Sequence, residues 1–134
     1  MEIDLDLLNA AAAPTLPGFL GIAFTAAEPG RVSARLEVQS HHMAPNGYLH
    51  AATVVAIADT CAGFGTMVSL PEGASSFTTI ELKANFTGTA RGGTIECTAT
   101  LVHGGRRTQV WDATVTDATT GRTFAMFRCT QMML

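Results

Sequence analysis

Between Leu49 and Pro71 the chain carries one charged side chain, Asp59, with histidine counted as neutral. The run AATVVAIADTCAGFGTMVSL is too long for a strand and offers no polar face to water. A helix of this kind must be buried on every side, in a membrane or inside its own fold. Asp59 near its centre, Thr53, Thr60, Thr66, Gly63 and Gly65 around it, and the lack of flanking cations make it a poor membrane span. The expectation is one helix swallowed by the rest of the chain.

The rest reads as strand and turn. Val32, Ala34, Leu36 and Val38 alternate with Ser33, Arg35 and Glu37, the period of a strand with one wet face. Glu28-Pro29-Gly30 is a turn, and residues 19–27 before it complete a hairpin. Further strands are expected at 78–86, 95–101, 111–116 and 123–130, with turns at His103-Gly104-Gly105 and Ala118 to Gly121. Residues 3–13 predict a short helix ended by Pro14 and Pro17. The order β-β-α-β-β-β-β implies an α+β class. Five to six antiparallel strands in a meander wrap one long central helix, because a sheet supplies the continuous apolar face such a helix needs. Residues 1–134 are expected to be one domain, with 1–17 as helix and lead-in.

Only 14% of residues are charged, against roughly 25% in average soluble domains. So few charges leave a small protein with surface it cannot solvate well, and the chain is expected to bury some of it in a homo-oligomer. A net charge of −3, with Lys83 as the one lysine, speaks against nucleic-acid binding. Cys61, Cys97 and Cys129 are odd in number and lie in apolar or strand-like runs, so buried thiols in a reducing compartment are expected. Glu2, Asp4 and Asp6 stand where a signal peptide needs positive charge, which predicts a cytoplasmic protein that is not exported.

Asp59 is the first candidate for chemistry. An ionised carboxylate in apolar surroundings costs several kcal/mol unless paired or used, and perturbed carboxylates gather at active sites. The start of the helix, at His50-Ala51-Ala52, is the second, since its first N–H groups have no intrahelical partner and can hold an oxyanion. A straight helix separates His50 from Asp59 by roughly 13 Å. One site would then draw on two subunits, with one copy's Asp59 facing the other copy's helix terminus.

The stretch NGYLHAATVVAIADTCAGFG resembles the signature of hotdog-fold thioesterases of the phenylacetate-degradation type and their 4-hydroxybenzoyl-CoA thioesterase relatives. In that family a Gly-x-x-His-Gly-Gly turn opens the central helix, and an Asp or Glu follows nine residues after the His. Gly47, His50 and Asp59 hold those positions here. The resemblance implies an acyl-CoA thioesterase with no cofactor and no metal, assembled as a dimer or a pair of dimers. It also places Thr79, in TTIELKANFTGTAR, where a Ser or Thr helps to position water. Two departures stand out. The paired glycines are Ala51 and Ala52, although the Ala51 N–H survives as an oxyanion donor. The family's Asn or Gln six residues before the His is Ala44, so either Asn46 takes over that role or it is missing.

Thr60 is a further residue placed to orient water or carboxylate. Phe64 and Met67, with Leu7 and Leu8, are expected to line an aryl or medium-chain acyl pocket. Phosphates of coenzyme A call for cations at the pocket mouth. Lys83, Arg91, Arg106 and Arg107 are available, and Arg91 is favoured because it opens a Gly-Gly turn. His41, His42 and His50 lack metal-ligand spacing, Cys61 is read as core packing, and no G-x-S-x-G elbow or phosphate loop is present. A hotdog dehydratase or hydratase would need a His paired with an acid, and a non-catalytic acyl-CoA-binding module is the other alternative.

Overall fold

A computed structural model describes residues 2–134. Helix α1 (Leu5–Ala12) and helix α2 (Leu16–Leu20) precede strands β1 (Ala23–Glu28) and β2 (Arg31–Glu37). Helix α3 (Ala51–Met67) is followed by β3 (Phe77–Phe86), β4 (Thr94–Gly104), β5 (Thr108–Asp117) and β6 (Thr123–Met133). The six strands form one antiparallel sheet in the order β1-β2-β4-β5-β6-β3.

Alternation in sequence becomes one apolar face. Val32, Ala34 and Leu36 of β2 join Ile95, Cys97 and Ala99 of β4, then Trp111, Ala113 and Val115 of β5, then Ala125, Phe127 and Cys129 of β6, all buried. Helix α3 lays Val54, Ile57, Ala58, Cys61, Ala62 and Gly65 on that face. The approach is closest at Gly65, where a Cβ would come within 2.7 Å of the Trp111 indole. Gly30 takes φ +84° at the β1–β2 turn, a conformation glycine adopts without strain.

Three sequence expectations are corrected. The strands are not a simple meander, because α3 carries the chain across the sheet and β3 pairs with β6 at the far edge. A period of two identifies a strand and its faces but says nothing of its partner. Pro17 does not end a helix. It lies in the first turn of α2, where a missing N–H removes no helical hydrogen bond. Nor is α3 covered all round within one chain. One stripe is buried, while Val55, Ala56, Asp59, Thr60 and Gly63 are half-buried, and Ala52 and Met67 are exposed.

The two sheet edges differ. At β1, the Asn9 side chain of α1 accepts from the Phe24 N–H (2.8 Å) and donates to the Phe24 carbonyl (3.3 Å) beside a bulge. At β3 the edge is bare, with Ile80 54%, Leu82 44% and Phe86 49% exposed. Among the described residues no helix is long and apolar enough to cross a membrane.

Candidate active site

The loop before α3 is built by short-range bonds. The Asn46 side-chain oxygen accepts from the Tyr48 N–H at 3.2 Å, and Gly47 takes φ +87°. The Tyr48 carbonyl accepts from the Ala44 N–H, while the Leu49 N–H donates to Ala90 O and ties this loop to the β3–β4 connection. That tie brings in Arg91, whose Nη2 donates to the Tyr48 hydroxyl at 2.9 Å, with the guanidinium 4.7 Å from the centre of the Tyr48 ring. Asn46, Gly47, His50 and Arg91 are thus gathered at one end of the helix.

His50 is the helix cap: its Nδ1 accepts the Ala52 N–H at 2.9 Å. Its carbonyl takes the N–H groups of Thr53 and Val54. The Ala51 N–H is left with no acceptor among the described residues, at the positive end of the helix dipole and open to solvent. The capping histidine therefore decides which first-turn amide stays without an acceptor.

Asp59 lies eight residues further along, about 12 Å by helical rise. Its Oδ1 is buried without a hydrogen-bond partner among the described residues. Burial holds its carboxyl above the usual carboxylate range. A Cβ on Gly63, one turn beyond Asp59, would sit 3.3 Å from the Phe77 ring. Phe77 begins β3, and Thr79 follows two residues into that strand. The Thr79 hydroxyl donates to Gln131 Oε1 at 2.6 Å. The Cys129 thiol is pushed up to about 12 by burial first and then by the Asp59 charge.

The candidate residues thus fall into two groups at separate points along one helix. Thr60 is half-buried beside Asp59. Lys83 lies on the other side of the sheet, in register with Arg128, lining a concavity of about 350 Å³ with Asn85 and Asp112. Phe64 turns towards β1 and packs on Phe24, ring centroids 4.4 Å apart. Met67 and Leu7 are exposed, and Leu8 packs against the core. Arg106 and Arg107 are exposed at the β4–β5 hairpin tip. His42 is buried, its Nδ1 accepting from the Gln39 N–H and its Nε2 meeting Leu20 O, and burial lowers its pKa. Among the described residues no three His, Cys, Asp or Glu gather as a metal site.

Sequence reasoning passed over Gln131 and Tyr48. The alternation Ala125, Phe127, Cys129 extends by one step to Gln131 and would have placed it on the inner face. Tyr48 has a weaker signal, a single aromatic in a polar loop beside Gly47.

A long helix cupped by a six-stranded antiparallel sheet is the hotdog fold of thioesterases. The chain belongs to the Thioesterase superfamily, which residues 46–124 match, and it is an enzyme of the thioester-hydrolase class. It is 32% identical over 111 residues to the 1,4-dihydroxy-2-naphthoyl-CoA hydrolase of Listeria monocytogenes, covering 83% of this chain and 89% of that one. It is 30% identical over 116 residues to the proofreading thioesterase EntH of Klebsiella pneumoniae, covering 87% and 84%. A thioesterase of Pseudomonas aeruginosa, solved as a variant, superposes with a TM-score of 0.93 at 27% identity, over 100% of this chain and 96% of that one. Zebrafish thioesterase superfamily member 2 shares the fold, with a TM-score of 0.88 at 21% identity over 99% of this chain and 100% of that one.

Proposed function

We propose that the protein hydrolyses the thioester of an aryl- or medium-chain acyl-CoA to the free acid and CoA, as do hotdog enzymes of the phenylacetate-degradation and 4-hydroxybenzoyl-CoA type. The observation that carries this reading is the Asp59 carboxylate, with a buried, unpartnered oxygen in a thioesterase fold. In the proposed site the Ala51 N–H of one subunit receives the thioester oxygen, and Asp59 of its neighbour directs the nucleophile. Asn46, Gly47, His50 and Arg91 border the entry, where Arg91 meets CoA phosphate. The Listeria relative is a hydrolase of 1,4-dihydroxy-2-naphthoyl-CoA, an aryl-CoA, which supports the aryl choice. His50 spends Nδ1 on the helix cap, which argues against the acid-paired histidine of a dehydratase.

The test is thiol release from a panel of aryl- and alkyl-CoA esters by the wild type and Asp59→Asn. A loss of at least roughly 100-fold is expected, the low end for one positioned acid–base group. An undiminished rate in the variant would overturn the reading.

A further inference from the structure

Two buried side-chain polar atoms have no hydrogen-bond partner among the described residues, Asp59 Oδ1 and Gln131 Nε2. One is an acceptor and the other a donor, and both belong to the wall between α3 and the β6–β3 edge. Gln131 is 0% exposed, rare for a glutamine, on the inner face beyond Cys129 of its own strand and directly across from Gln109 of β5 and Thr79 of β3. An unpaired buried amide costs stability that an apolar side chain there would not. Packing alone therefore does not account for it.

What Gln131 does is hold the Thr79 hydroxyl proton, at 2.6 Å. A threonine hydroxyl has one proton and two lone pairs. With that proton committed to Gln131 Oε1, Thr79 faces the site as an acceptor only. Resting on the thioesterase reading above, we propose that Gln131 is a positioning residue that makes Thr79 accept a hydrogen bond from the attacking water. The water oxygen bonds to the thioester carbonyl carbon as one proton passes to the Asp59 carboxylate. The second proton stays on that oxygen, directed at Thr79 Oγ1. Collapse of the tetrahedral oxyanion breaks the C–S bond, and the proton on Asp59 leaves on the thiolate sulfur. Acid and thiol are released, and Asp59 is again ionised. A hydroxyl free to rotate would donate to the water as often as accept from it, and the water's lone pair would lose its aim.

The experiment is a double-mutant cycle of Gln131→Met and Thr79→Val, read as separate kcat and KM on one acyl-CoA. Gln131→Met should lower kcat about tenfold, the scale of one orienting hydrogen bond, with KM within about twofold. In the Thr79→Val background the same change should alter kcat by less than about twofold, because the group it acts through is gone. Equal losses in both backgrounds, or an unchanged kcat, would overturn the inference. Should Gln131→Met fail to fold, Gln131→Asn keeps an amide in the wall but withdraws it from Thr79 by one methylene, and serves in the same cycle. If the wild type releases no thiol, or Asp59→Asn stays fully active, the thioesterase reading itself falls and this inference with it. If both behave as expected and the cycle is additive, only the role of Gln131 is lost.

Discussion

Asp59 is a residue at odds with its own helix. Burial favours the neutral carboxyl, so folding raises its pKa, and the chemistry proposed for it needs the ionised form. The acid limb of kcat/KM should therefore lie above the ordinary carboxylate range. A wild-type profile flat down to that range would contradict it. The same shift has a consequence for stability. A folded state that binds the Asp59 proton more tightly than the unfolded chain has its full stability in acid, and loses part of it as pH rises through the raised pKa. Asp59→Asn removes that loss. The variant should melt at a higher temperature than the wild type at neutral pH while being nearly inactive, and the gap should close as pH falls towards the ordinary carboxylate range. Calorimetry at two pH values checks this. A variant less stable than wild type at neutral pH would show that the carboxylate has a structural partner after all.

Helix α3 is shaped by two glycines that sequence propensity alone would remove. Alanine in a helix interior gains about 1 kcal/mol over glycine. At Gly65 that gain meets the Trp111 ring, 2.7 Å from any Cβ, in an indole that is 0% exposed and whose Nε1 donates to Gln109 at 2.8 Å. Overpacking costs about 1–3 kcal/mol, towards the upper end where the neighbour is pinned. Gly65→Ala is thus expected to destabilise by a net ~1–2 kcal/mol in denaturant unfolding. At Gly63 the neighbour is the rim of the half-buried Phe77 ring at 3.3 Å, which can shift. Gly63→Ala should be neutral or slightly stabilising. The opposite ranking would mean that the Trp111 contact does not set the distance between helix and sheet. The reading of this segment as an apolar helix carrying Asp59 was available from residue types alone. The reason for its glycines was not, since Trp111 lies 46 positions beyond Gly65 in the chain.

At the scale of the molecule, the separation of Ala51 from Asp59 along α3 and the bare β3 edge both fit the proposal of a site shared between subunits. A long exposed edge strand is a template for pairing with another chain. The half-buried flank of α3 that bears Asp59 also carries Val55, Ala56 and Gly63. If the site is shared between subunits, two inactive variants should rescue each other. Ala51→Pro suits this test. Proline is accepted at the first helical position, and His50 before it already has the extended backbone proline requires, φ −68° and ψ 134°. The substitution removes the one open amide with little change to the helix. Mixed and reassembled with Asp59→Asn, half the dimers are mixed and each has one intact site of two, so about a quarter of wild-type activity should return. No recovery, with subunit exchange shown to occur, would place both half-sites in one chain. A fully active monomer in light scattering would contradict the shared site directly.

The sequence by itself determined the elements and the residues that stand out in them. Period-two alternation marked the strands, and an uninterrupted apolar run marked the helix. Asp59 stood out because a charge among apolar neighbours needs a reason. His50, Gly47 and Asp59 were legible as a set because their spacing is local, carried by one loop and the helix that follows it. Tertiary structure alone decided what depends on contacts between distant segments. It sent β3 to the far edge beside β6, since alternation specifies a face and not a partner. It put Lys83 on the side of the sheet away from Asp59, and Arg91 against Tyr48 through the Leu49–Ala90 bond. It joined Gln131 to Thr79, 52 residues apart, because hydrogen bonding follows distance in space and a linear pattern does not record it.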